Sequence, residues 1–174
     1  KGGTDAWILP RIKKIVLWGN SGEEIKRYYG SRPQNTQFFF RQGITYNRVK
    51  RSGRRFGYLH PSSVFADKGS AVFPSSHEWH FLSYSNSRLF TYLMLAQTSE
   101  RMWEIGLVSK VPWRRELEGI NDLKNLSREA VSHLISKRQY DFVSPHYDGP
   151  VLLDALGVDD PLPQYAHPHR ELRD

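Results

Sequence analysis

Cysteine is absent from all 174 residues. That removes disulfides, thiolate metal sites and thiol nucleophiles together, and it fits a reducing compartment, so a cytoplasmic protein is expected. Also missing is any apolar run near the ~18–20 residues that cross a bilayer. The longest, around Leu89–Ala96, follows Arg88 and is broken by Thr91, so no membrane partner is expected. Nothing near Lys1 has the pattern of a signal peptide. The chain starts without Met, which predicts a fragment or a processed product. There is no phosphate-binding glycine loop, no HExxH and no glycine fingerprint between a strand and a helix. The most informative gap is local. Between Ile25 and Ala66 there is no Asp or Glu, while nine basic residues occur there (Lys26, Arg27, Arg32, Arg41, Arg48, Lys50, Arg51, Arg54 and Arg55).

The formal net charge is +7, so those nine cations leave the remainder of the chain slightly acidic. A field so concentrated attracts polyanions, although a solvated basic face has the same composition. Pro33, Gly43, Gly53 and Gly57 interrupt the segment, which excludes one long amphipathic membrane-surface helix. With 39% hydrophobic and 13% aromatic residues, the chain is too apolar for disorder.

Periodicity predicts a small α+β domain with a mixed or antiparallel sheet around Phe56–Leu82, two principal helices and a Pro/His-rich C-terminal arm. Ile15–Trp18, Phe38–Phe40, Arg54–Leu59, Val64–Phe65, Ala71–Phe73 and Trp79–Leu82 read as strands, with a turn at Asp67–Gly69. Thr45–Lys50 reads as a helical turn or the end of a loop. A short helix is expected at Gly22–Tyr29, introduced by Ser21 and Glu24 at capping-box spacing. A firmer one is expected at Ser87–Gln97, capped by Asn86, with Leu89, Tyr92, Leu93 and Ala96 as its buried stripe. Arg128–Lys137, capped by Ser127, reads as the second principal helix. Residues 141–174 carry seven acidic groups against two basic ones and read as an arm on a neighbouring surface, leaving residues 1–140 as the main region.

His77 and His80 flank Glu78 and invite a metal reading. On a strand, however, positions three apart project to opposite faces, and no third ligand has helpful spacing. No metal is expected. What remains is a set of cations interleaved with rings and short polar groups: Arg41, Gln42, Thr45, Asn47, Arg48, Lys50, Arg51, Arg54 and Arg55. Arginine forks suit phosphates and the acceptor edge of guanine, while Asn and Gln can read adenine. Most such contacts go to phosphate, and Arg48 is the candidate for reading a base. RNA is the natural rival to DNA for this segment.

Three stretches, Phe40-Arg-Gln-Gly-Ile-Thr-Tyr46, Arg54-Arg-Phe-Gly-Tyr58 and Val64–Pro74, together resemble a recurring motif of large adenine-specific DNA methyltransferases. These are the enzymes of BREX-type phage-defence and type IIG restriction-modification systems. Gln42 stands where an acidic residue is common, and Tyr46 where Trp is common. Trp18–Tyr28 resembles the start of that family's specificity region, and Phe81–Tyr92 its helix introduced by Asn-Ser. Trp103–Pro112 resembles its exit segment, and Tyr140–Phe142 with Pro150–Leu153 its C-terminal stretch.

The resemblance spans roughly Trp18 to Leu153. It implies a target-recognition region that follows a Rossmann-like catalytic domain using S-adenosylmethionine. That domain would carry Asn-Pro-Pro-Tyr and the donor-binding glycines, and neither motif occurs here. The implied role is to dock on double-stranded DNA and select the site, with no cofactor bound and no methyl transfer by this chain alone. Alternatives are the specificity domain of a type I restriction system, a protein-interaction module that contacts other defence-system subunits, and a metal-dependent hydrolase around His77 and His80.

Overall fold

Gly43–Asn47 alternates inward apolar side chains with small outward ones and forms the central strand of an antiparallel sheet. In the computed structural model, residues 8–12, 14–49, 55–65, 69–99, 101–141 and 144–149 are described. Strand β1 (Gly43–Asn47) lies between β2 (Phe56–Leu59) and β3 (Gly69–Val72), in the order β2-β1-β3. Tyr46 pairs with Phe56 and Ser70, and Ile44 with Tyr58 and Val72. One face of the sheet therefore presents Ile44, Tyr46 and Phe56 to the core, and all three are fully buried. The Tyr46 and Phe56 rings stack at 5.0 Å, and Phe56 meets Phe90 edge-on at 5.2 Å.

Helices cover that face. They are α2 (Glu78–Ser85), α3 (Arg88–Leu95), α4 (Ile105–Val108) and α5 (Asn121–Arg138); a short α1 (Glu23–Arg27) contributes no buried residue, and 3-10 turns fall at Thr36–Phe38 and Arg115–Gly119. The architecture is the expected small α+β domain, with the sheet resolved as antiparallel. The proposed C-terminal arm beyond residue 149 and the Asp67 turn lie outside the described residues.

Several local expectations are corrected. Trp79–Leu82 belongs to α2 and is not a strand. Its aromatic content suggested β structure, but α2 is enclosed between the sheet and α5, and helical geometry buries His80, Leu82 and Tyr84 together. Thr45–Asn47 is strand, not a helical turn. Phe38–Phe40 is no strand because left-handed residues, Asn35 and Phe40 (both φ 58°), bracket it. Ile15–Trp18 forms no strand either, and Ile15 and Leu17 are exposed. The sheet edge it would need is occupied by Ile8, which exchanges backbone bonds with Phe56 (3.1 Å) and Tyr58 (2.6 Å). Pro10 packs on Gly57 so tightly that a Cβ there would lie 2.8 Å from the ring. Val64 and Phe65 pair with nothing in the sheet.

Helix ends also move. Ser87, not Asn86, caps α3 and accepts from the Phe90 amide at 3.1 Å. Asn86 is buried, and its amide ties Phe56 to α2 instead. Ser127 is no cap. It sits in the middle of α5, which begins two turns earlier, and its hydroxyl lies 2.7 Å from the Trp79 carbonyl. Ser83 donates to the Leu123 carbonyl at 2.6 Å, so small hydroxyl side chains let α2 and α5 approach closely.

The expected buried stripe of α3 faces outward. Leu89 and Tyr92 are 57% and 70% exposed and Leu93 is half-buried, whereas Phe90 and Met94 fill the core. Both stripes are apolar at helical spacing, so periodicity did not separate them. Met94→Ala should lower unfolding free energy by about 2–5 kcal/mol through lost burial and a residual cavity. Leu89→Ala should change it by no more than about 0.5 kcal/mol. Urea titrations of the two variants give both values, and the reverse order would contradict this packing.

Candidate nucleic-acid interface

β1 divides the contact residues expected from the sequence into two groups. Arg41 and Gln42 precede the strand, and Asn47, Arg48 and Arg55 lie at its other end. Four residue steps separate Gly43 from Asn47, or about 13 Å at the rise of an antiparallel strand. Thr45, in the middle, belongs to neither group, and its hydroxyl donates to the Ser70 carbonyl at 3.0 Å. Lys50, Arg51 and Arg54 lie outside the described residues.

At the first end, Arg41 is exposed and its guanidinium lies over Phe38 (5.5 Å) and Phe73 (5.7 Å), which stack on each other at 5.2 Å. Gln42 donates to Glu78 (3.2 Å) and accepts from the Tyr58 hydroxyl (3.2 Å). Burial raises the Tyr58 hydroxyl above its ordinary pKa, and the Glu78 charge adds to this. The phenol therefore stays a donor that holds the Gln42 oxygen. Both the nitrogen and the oxygen of the Gln42 amide are engaged, although the side chain remains at the surface.

At the second end the charges turn inward. Arg55 is only 6% exposed, and its guanidinium sits 4.3 Å above the Trp103 ring. It donates to the carbonyls of Asn47 (3.3 Å) and Arg48 (3.4 Å). The group is thus positioned to hold the β1–β2 connection together, and it does not reach the surface as a contact for DNA. Arg48 pairs with Glu104 at 3.4 Å, with both side chains partly exposed, and its carbonyl accepts from the Trp103 amide at 2.9 Å. The Asn47 side chain accepts from the Val49 amide at 3.2 Å and closes a local turn. Val49 bridges to Met102. Trp103 and Glu104 complete this end of the site, although nothing local in sequence links them to Arg48.

His77 and His80 prove to lie at the start and within the first turn of α2, on one side, with ring centroids 5.2 Å apart. The strand argument against a metal therefore fails. Among the described residues, though, no three His, Asp or Glu groups are placed to hold an ion. His77 instead approaches Glu118 at 3.5 Å, and Glu118 accepts from the Trp113 indole at 2.9 Å.

His80 is buried, with no hydrogen-bond partner on either ring nitrogen among the described residues. Burial holds it below its ordinary pKa, His77 and Lys124 act in the same direction, and Glu118 and Glu78 oppose them. The fold therefore keeps the neutral ring, and on acidification the unfolded chain takes up the proton first. The stabilisation is complete above the unfolded value of about 6.5 and is lost as pH falls through the depressed folded value. Unfolding free energies measured across this range should fall with acid, and His80→Leu should flatten the slope.

No family model and no curated protein matches the chain.

Proposed function

We propose that the chain is the target-recognition part of an S-adenosylmethionine-dependent adenine-N6 DNA methyltransferase from a restriction or phage-defence system, and that its β1–β2 connection contacts duplex DNA. The observation that carries this reading is the clamped root of that connection. Arg55 and the Arg48 carbonyl fix two adjacent antiparallel strands. Between them, the chain runs through Lys50, Arg51 and Arg54 without a carboxylate. A rigid root reduces the ordering penalty when such a segment meets phosphates. Arg41 and Gln42 at the other end of β1 give a second point of contact about 13 Å away, comparable with the ~12 Å width of the major groove. The donor and the catalytic motifs belong to a separate domain that precedes this region. The charge pattern and the ordered motif resemblance support the reading. Among the described residues, no helix is long and apolar enough to cross a membrane.

Duplex affinity should fall steeply with salt. Lys50→Ala and Arg51→Ala should each lower the slope of log affinity against log salt by about one unit, with little change in sequence preference. Arg48 must leave Glu104 before it can reach a base, so Glu104→Gln should strengthen binding severalfold at low salt. Fluorescence anisotropy on cognate and scrambled duplexes measures all three. Wild-type affinity in all three variants would show that the connection is only a solvated basic face. With labelled S-adenosylmethionine and duplex DNA, the chain alone should incorporate no methyl group.

One observation favours an additional protein contact. Leu89, Tyr92 and Leu95 are exposed along the outer side of α3, a stripe that suits apposition to another domain. Tyr92→Asp should suppress concentration-dependent association in sedimentation experiments while leaving duplex affinity unchanged.

A further inference from the structure

Phe40 stands in the left-handed region at φ 58°, where a bulky side chain is strained. Between residues 19 and 40, the other residues with positive φ are Gly19, Gly22, Gly30 and Asn35, which tolerate that conformation well. At position 40 the chain keeps an aromatic ring and leaves it 46% exposed. The backbone is pinned by a hydrogen bond from the Phe40 amide to the Ser63 carbonyl at 3.2 Å. Core packing does not explain the choice, since the adjacent Phe39 already supplies the buried ring.

The surroundings of Phe40 are specific. Its ring meets Trp18 edge-on at 5.8 Å, and Trp18 also meets Phe39 at 5.2 Å. Trp18 lies flat on Gly22, where a Cβ would come within 2.5 Å of the indole, so the indole is held in place. Lys26 stands over the same indole at 5.9 Å. On the other side of Phe40, Arg41 covers Phe38 and Phe73. An exposed Phe40 ring beside a partly buried Trp18, flanked by cations, has the chemistry of a surface that stacks a nucleobase and neutralises the adjoining phosphates; Phe40, Lys26 and Arg41 fall in the acid-free segment, and Trp18 precedes it. Of the nearby carboxylates, Glu23 pairs with Arg27 at 3.1 Å and Glu78 accepts from Gln42, while Glu24 stays exposed on α1.

We propose that Phe40 and Trp18 form a stacking site for an unpaired base of a DNA strand, with Lys26 and Arg41 on its flanking phosphates. The site deepens the DNA-recognition reading and rests on it, but it lies at the opposite end of β1 from the basic connection and is tested separately.

Phe40→Gly is the informative variant, because glycine removes the ring and also relieves the backbone strain. Binding of a short oligothymidylate is read by anisotropy and by quenching of tryptophan fluorescence. The variant should melt at or near the wild-type temperature, bind the single strand roughly tenfold to a hundredfold more weakly, and bind fully paired duplex within twofold of wild type. Phe40→Trp should retain single-strand binding, which keeps the test valid even if the glycine variant folds poorly. Single-strand affinity equal to wild type in Phe40→Gly overturns the stacking site and leaves the duplex reading standing. Loss of duplex binding in Lys50→Ala and Arg51→Ala with single-strand binding intact separates the two sites. If wild type binds neither probe, both readings fall. Quenching by a proline-rich peptide in place of the oligonucleotide would assign the rings to a protein partner and would equally overturn the proposal.

Discussion

The peptide of Phe56 sets a constraint on everything around it. In its pairing with Tyr46, its N–H and C=O point away from β1, toward an edge that helices cover and water does not reach. A buried peptide without partners is strongly unfavourable. Asn86 meets this need from the end of α2: its amide nitrogen donates to the Phe56 carbonyl at 3.1 Å and to the Leu82 carbonyl at 2.9 Å, and its oxygen accepts from the Phe56 N–H at 3.4 Å. The Ile8 amide adds a second donor to the same carbonyl. One side chain thus fixes where α2 ends, where α3 can begin and how both lie against the sheet. With α2 in place, the Phe56 ring reaches Phe90 and Phe81, and Arg55, one residue back, is carried into the pocket under Trp103.

That last consequence bears on how far a basic segment can be interpreted by counting charges. Nine cations in a row without an acid signal a field, but they do not say which cations face outward. Arg55 is drawn inward because two carbonyls at the root of the connection accept from its guanidinium and Trp103 offers its ring face. Arg48 is drawn sideways by Glu104, fifty-six positions along the chain. Both effects depend on long-range folding, so composition could nominate the segment but not sort its members. Of the described candidates, Arg41 and Gln42 remain at the surface.

The same division holds for the fold. The α+β class, the strand at Phe56–Leu59 and the helix after Ser87 were legible because each has strong local periodicity and clear turn residues. Trp79–Leu82 was not, since its aromatic residues favour a strand locally and only enclosure between sheet and α5 makes the helix preferable. The face of α3 was misread for a related reason. Phe90 and Met94 make an apolar pair at i and i+4 as good as Leu89 and Leu93, and the hydrophobic pattern alone cannot choose between them. Phe40 is legible as one of the rings interleaved with the cations, but Phe38–Phe40 together read as a buried strand, and nothing local links Trp18 to them. The left-handed backbone that exposes the third of them has no signature in composition.

The two ends of β1 are held by different forces. At the Arg55 end, hydrogen bonds and a cation over an indole fix the root. At the Phe40 end, ring packing on Trp18 and one backbone hydrogen bond hold a conformation that the residue alone disfavours. Strain maintained in this way requires the surroundings to over-determine the geometry, and here Gly22 beneath the indole and Ser63 beside the Phe40 amide do so. A partner approaching the Phe40 end therefore meets rings already in position. Less conformational freedom is lost on contact than a flexible basic loop would lose, and binding can depend on geometry as well as on charge.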